Sequence, residues 1–253
     1  MLTDCFEVKL QNITIHVGFG RTGTTFLQNE IFPKLKIKYL GKLEKSYPDW
    51  LIDWNYCDRF LLQSKIPTIR KILGSKKALV SSEAFTQTGM LFEQLDRIQS
   101  VVIKPKIIVT IRNPVDLIIS KYRFLVNTGV FKKSLDFYID STNRPFDLVK
   151  RPRLYLHDYR YDLYIDELVN RFGLKNILVV KYEDLTNDIN QYMQSIVDFL
   201  ECDLPNNIDF SRDFFNATIG NEGIVTKENR IFLTEYFKQF FDYEKFNNLV
   251  NIL

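Results

Sequence analysis

Cysteine is scarce in this chain of 253 residues: Cys5, Cys57 and Cys202 are odd in number, far apart and free of any C-x-x-C pair, which excludes a disulfide framework and a zinc knuckle. That usage suits a reducing compartment, and a cytoplasmic location is expected. Histidine is scarcer still. His16 and His157 are separated by most of the chain with no cysteine near either, so zinc chemistry lacks a ligand set and no metal is expected. Long apolar runs are missing as well, since no stretch approaches the ~20 residues that span a bilayer. The opening MLTDCFEVKL lacks a basic n-region followed by an apolar h-region, so the chain reads as soluble and not secreted. Charge of one sign is also lacking. The 34 basic and 31 acidic residues leave a net +3, far short of the excess of proteins that track nucleic-acid backbones, and no nucleic-acid partner is expected.

What is present is a globular composition, with 45% apolar or aromatic residues and 26% charged. One sizeable core, hence a single domain over 1–253, is the expectation. Short β-branched runs alternate with longer stretches of helical period, which argues for an α/β fold whose mainly parallel strands are joined by covering helices. Strands are expected at 13–17, 37–40, 77–82, 106–111 and 176–181; most lack polar alternation, as strands buried on both faces should. Helices are expected at 24–31, 59–73, 90–100, 115–126, 156–172 and 187–200. The segment 203–253, rich in Asn and Phe, reads as a helical tail docked on the sheet.

The most informative stretch is ITIHVGFGRTGTTFL, residues 13–27, a strand running through a glycine-spaced turn into a helix start. Gly18, Gly20 and Gly23 let the backbone approach an anion closely, the amides of a helix start favour phosphate, and Thr22, Thr24 and Thr25 add hydroxyl donors. The same glycines satisfy the dinucleotide fingerprint G-x-G-x-x-G, but the first acid after the following strand is Glu44, beyond Gly41 and a lysine. The Walker pattern fits from Gly18 to Gly23 and then fails, because Thr24 stands where its lysine should be. A nucleotide kinase and an NAD(P)-dependent oxidoreductase are therefore the alternative readings. A second motif is RNPVDLIISKY, residues 112–122, a strand end, a turn and a helix entered through Pro114. Arg112 and Ser120 sit about two helical turns apart and can reach one anion.

Together these segments resemble the sulfotransferases that use 3′-phosphoadenosine-5′-phosphosulfate (PAPS). GRTGTTF, residues 20–26, resembles the family's 5′-phosphosulfate loop P-K-S-G-T-T-W, and residues 112–122 are similar in every fixed position to its 3′-phosphate motif R-N-P-x-D-x-x-x-S-x-Y. ILVVKYEDL, residues 177–185, looks like its strand ending in Y-E-D-L, and the likeness covers about 13–200. The resemblance implies a three-layer, P-loop-NTPase-like open sheet with helices on both faces, and PAPS as donor. It implies that Gly20, Arg21, Thr22, Gly23, Thr24 and Thr25 hold the 5′-phosphate, that Phe26 offers its ring to the adenine, that Arg112 and Ser120 hold the 3′-phosphate, and that Tyr182 approaches the adenine. The departures are Gly20 for Pro, Arg21 for Lys and Phe26 for Trp. Arginine keeps the charge and adds a fork, but it is a poorer proton donor. Lys227 and Arg230 are candidates for the basic C-terminal segment that closes over the nucleotide in the family.

Sulfuryl transfer needs an in-line arrangement and charge stabilisation on the departing nucleotide, a role that falls to Arg21. A hydroxyl acceptor, of a carbohydrate or a small metabolite, also needs a proton acceptor. Glu83 directly follows an apolar strand, at the sheet edge where open α/β folds bind ligands, and is the expected base with His16 as the alternative. Were that base inactive, the chain would be a non-catalytic module binding PAPS or its product. Residues 47–56 hold both tryptophans and suit either sugar stacking or the core, and Tyr155, Tyr159 and Tyr161 are candidates for the acceptor mouth.

Overall fold

The computed structural model describes residues 10–42, 47–74, 76–86, 91–139, 156–203 and 225–242. From the N-terminus, β1 (Ile13–Gly18) leads into the short α1 (Thr24–Phe26), which continues as a π turn over Leu27–Ile31. Then come β2 (Lys38–Leu40), α2 (Asp49–Tyr56), α3 (Arg59–Leu73), β3 (Ala78–Ser81) and α4 (Leu91–Val101). The second half runs β4 (Lys106–Ile111), α5 (Pro114–Asn127), α6 (Leu135–Ile139), α7 (Tyr161–Phe172), β5 (Ile177–Lys181), α8 (Tyr182–Asn187), α9 (Ile189–Leu200) and α10 (Lys227–Lys238).

The five strands form one parallel sheet in the order β2-β3-β1-β4-β5. Alternate residues of each strand enter different cores, as the period of a strand requires. Ile13, Ile15 and Val17 of β1 join Val80, Ile107, Val109 and Val179 in one core beneath α2–α5 and α7. Leu79, Ile108, Leu178 and Val180 face the other way, onto Leu27, Phe32 and α9. Helices thus cover both faces, the α/β architecture expected, and every expected strand lies within a residue of the observed one.

One helical expectation differs and one open reading is decided. The helix over 156–172 is broken: a 3-10 turn at Leu156–Tyr159 is followed by α7, with Arg160 between them at φ −74° and ψ 75°. Side chains two apart on a continuous helix face away from each other, and the break lets both Tyr159 and Tyr161 meet the ring of Phe19, at 6.1 and 4.9 Å. Of residues 47–56, left open between sugar stacking and core, Asp49–Tyr56 form α2. Trp54 is fully buried, its Nε1 donating to the carbonyl of Arg97 at 3.0 Å, so this tryptophan is core. Among the described tail residues, α10 opens on a Thr226–Asn229 capping box and packs against α5, burying Leu233 and Phe237.

Candidate active site

The C-terminal ends of β1, β3, β4 and β5 converge on one cavity of about 660 Å³. The turn after β1 forms its floor. Gly18 is required by close approach, since a Cβ there would lie 2.1 Å from Cγ2 of Thr24 and 2.5 Å from Oγ1 of Thr110. Gly23 sits at φ 81°, and its Cβ would come 2.7 Å from Leu185. Arg21 adopts φ 79°, a left-handed conformation unusual for a residue with a side chain. The turn's carbonyls are occupied from within the fold: Thr86 Oγ1 donates to the oxygen of Gly18 at 2.9 Å and Thr22 Oγ1 to that of Phe19 at 2.6 Å. No side chain caps the helix start at Gly23, which leaves amides available to an anion.

Around this floor the three sequence motifs interlock. Arg21 Nε donates to Ser120 Oγ at 3.2 Å, and its guanidinium lies 5.1 Å from the ring centre of Phe124. Arg112 at the end of β4 donates to the carbonyl of Arg21 at 3.1 Å and stacks 4.4 Å from the ring centre of Tyr182. Glu183 accepts from the amide of Asn113 at 2.9 Å, and Asn113 in turn caps α5 through the amides of Val115 and Asp116. Burial lowers the pKa of Arg21 and the neighbouring Arg112 lowers it further, while Tyr182 and Glu83 act the other way. Two guanidinium groups pressed together in a partly dry cleft are an arrangement that a bound polyanion relieves.

Glu83 opens the 3-10 turn after β3 and lines the cavity. One carboxylate oxygen accepts from the hydroxyl of Thr24, and the other lies 3.8 Å from where a Cβ on Gly20 would stand, so the carboxylate hangs over the loop. Tyr47 also lines the cavity, and burial together with the Glu83 charge raises its pKa. His16 stands elsewhere. It is fully buried in β1, hydrogen-bonded through Nδ1 to Ser81 Oγ at 2.7 Å and edge-on to Phe32, and burial pulls its pKa down to about 3. A neutral ring that does not border the cavity is no base for a reaction in it.

Of the residues singled out in the sequence, Gly20, Arg21, Gly23, Thr24, Thr25, Phe26, Glu83, Arg112 and Tyr182 all border the cavity. Ser120 joins them through Arg21. Thr22 does not: its hydroxyl is spent on Phe19 and on Thr110 Oγ1 at 2.8 Å, tying the turn to β4. Phe26 is largely buried among Leu27, Leu178 and Leu185, with only 5% of its surface exposed. Tyr159 and Tyr161 are core residues away from the cavity, and Tyr155 lies outside the described residues. Arg230 pairs with Asp116 at 2.9 Å, and neither it nor Lys227 borders the cavity.

Sequence reasoning missed Lys42, Lys121 and Phe124 as lining residues, whereas Tyr47 and Tyr56, from the stretch 47–56 left open between sugar stacking and core, do border the cavity. For Phe124 the signal was there, one helical turn beyond Ser120 on the same face of α5. Lys42 follows β2 as Glu83 follows β3, and the same sheet-edge rule points to it.

A family profile described as "Sulfotransferase domain" matches residues 12–213. No curated protein matches the sequence. Among solved structures, a sulfotransferase from Alicyclobacillus acidocaldarius superposes with a TM-score of 0.65 at 18% identity, over 92% of this chain and 93% of that one. A mouse sulfotransferase complexed with PAP superposes with a TM-score of 0.53 at 16% identity, over 96% of this chain and 88% of that one. At these identities the likeness is one of fold.

Proposed function

The chain belongs to the sulfotransferase domain family, and from that membership we propose that it transfers a sulfuryl group from PAPS to a hydroxyl of a carbohydrate or small metabolite, the whole of 1–253 acting as one domain. The observation that carries the donor assignment is the contact between Arg21 and Ser120, which joins the glycine loop and the second motif around a single cavity. The loop amides with Thr24 and Thr25 suit a 5′-phosphate. Arg112 with Ser120 suits a terminal 3′-phosphate, each charge-assisted bond contributing about 1.5–3 kcal/mol. Tyr182, already stacked on Arg112, offers a face to the adenine. Free Cys57 and Cys202 support a reducing, cytoplasmic setting.

The residues divide the chemistry as follows. The acceptor oxygen attacks sulfur in line as its proton passes to the Glu83 carboxylate. An O–S bond forms, the bond from sulfur to the 5′-phosphate oxygen breaks, and that oxygen keeps the electron pair. Arg21 meets the growing charge as a fixed cation. Its guanidinium supplies field and hydrogen bonds and keeps its proton, so the leaving phosphate departs charged.

The discriminating experiment compares melting temperatures with 3′,5′-adenosine bisphosphate (PAP), Mg-ATP and NAD(P). At ~100 times its dissociation constant a ligand adds ~2.7 kcal/mol, several degrees for a chain of this size. Stabilisation by PAP alone is the expected result. Stabilisation by ATP or NAD(P) and not by PAP would replace the reading with a kinase or an oxidoreductase, and PAP binding without transfer to any of a panel of hydroxyl acceptors would leave a binding module.

A further inference from the structure

Among the described residues four cationic side chains border the cavity: Arg21, Lys42, Arg112 and Lys121. Three are committed within the protein. Arg21 holds Ser120, Arg112 holds the Arg21 carbonyl and the Tyr182 ring, and Lys121 donates to the hydroxyl of Tyr159 at 2.8 Å. The ammonium of Lys42 has no ion pair or hydrogen bond among the described residues, although the side chain is partly buried and lines the cavity.

Its position is built rather than incidental. β2 pairs with β3, so the residue leaving β2 stands beside the residue leaving β3, which is the Glu83 side of the cavity. Gly41, between β2 and Lys42, lies against the ring of Tyr39: a Cβ there would meet the tyrosine oxygen at 2.3 Å. A side chain at 41 would have to displace that ring, and the chain emerging from the glycine delivers Lys42 to the cavity that Tyr47 and Glu83 also line.

Electrostatics gives the cation a task. The 5′-phosphate end of the cavity has the loop amides, and the 3′ end has Arg112 and Ser120. The sulfuryl end has Glu83, whose negative carboxylate repels the sulfuryl oxygens that must approach it. We propose that Lys42 is the cation that binds the sulfuryl group of the donor, an assignment that rests on the PAPS reading above. The oxygens it holds stay on sulfur throughout transfer. The ammonium therefore grips the group while the bond to the phosphate breaks and the bond to the acceptor forms, and no proton passes through it. One consequence is a preference for the sulfated donor over the desulfated product, which differ only by the group Lys42 touches.

That preference is measurable without knowing the acceptor. Dissociation constants for PAPS and for PAP are determined by calorimetry on the intact chain and on K42M and K42R. The expected result is that K42M weakens PAPS about tenfold while leaving PAP unchanged, and that K42R, which keeps the charge, recovers most of the loss. Equal affinities of K42M and the unsubstituted chain for PAPS would overturn the assignment, and so would an equal weakening of both nucleotides, which marks a general field effect or a structural role. Failure of the unsubstituted chain to bind PAP would instead remove the donor reading itself, and the assignment with it.

Discussion

Arg21 and Ser120 lie 99 positions apart in sequence, and the Nε of the one donates to the Oγ of the other at 3.2 Å. The glycine loop supplies the arginine and α5 supplies the serine, so the two motifs meet at this contact and one ligand can engage both. A doubly phosphorylated adenosine, the ligand proposed above, would bring a charged group to each motif.

Selective truncation tests that geometry. Ser120→Ala and Arg112→Ala are each expected to weaken PAP by about 1.5–3 kcal/mol while changing affinity for 5′-AMP much less, because only PAP carries a 3′-phosphate. Calorimetric titration of both nucleotides gives the comparison. Losses of equal size would detach these residues from the 3′ end.

Glu83→Gln removes the proton acceptor and keeps its shape. Sulfuryl transfer is expected to fall by about 10²–10⁴-fold with PAP affinity retained, as befits a residue that acts on the acceptor's proton. Turnover at the original rate would dismiss Glu83 from that role, and His16, sealed in β1, would not inherit it.

The glycines of the loop are expected to differ sharply. Gly23→Ala imposes a Cβ at φ 81° and 2.7 Å from Leu185, and should cost about 2–4 kcal/mol from the strained backbone and the overpacking together. At Gly20 the nearest atom to a new Cβ is 3.8 Å away, so Gly20→Ala should stay within about 0.5 kcal/mol. Denaturant midpoints check both, and a stable Gly23→Ala protein would contradict the described turn.

His16 gives the fold a dependence on acid. Its pKa is near 6.5 in the unfolded chain and about 3 in the folded one. Below pH 6.5 the unfolded chain takes up a proton that the buried ring refuses. The stability present above that pH is therefore lost as pH falls toward 3, by about 1.4 kcal/mol per unit. Unfolding free energies at pH 7 and pH 5 should diverge by about 2 kcal/mol more in the unsubstituted chain than in His16→Asn. Parallel losses in the two proteins would mean that other groups set the acid limit.

The sheet was legible in the sequence because strands buried on both faces are written as continuous β-branched runs, and β1, β3, β4 and β5 all have this form. The motif residues were legible because glycine spacing and the residue pattern of 112–122 are local. Long-range placement was not. Nothing in the spacing of Thr22, Thr24 and Thr25 tells which hydroxyl faces outward, and that of Thr22 turned inward to Phe19 and Thr110. The break at Arg160 follows from the position of Phe19, some 140 residues earlier, which no helical period anticipates. Lys42, Tyr47 and Phe124 come from three separate segments and border one cavity only once β2 has paired with β3 and α5 has packed over the loop.

The hydroxyl of Thr24 has one hydrogen, and in the structure Glu83 receives it. On the proposed chemistry a 5′-phosphate competes for that same hydrogen, so arrival of the nucleotide evicts the carboxylate and leaves it hungry for another donor. On that reading the loop hydroxyl and the carboxylate oxygen it now engages would part, the phosphate taking the one and an acceptor O–H the other.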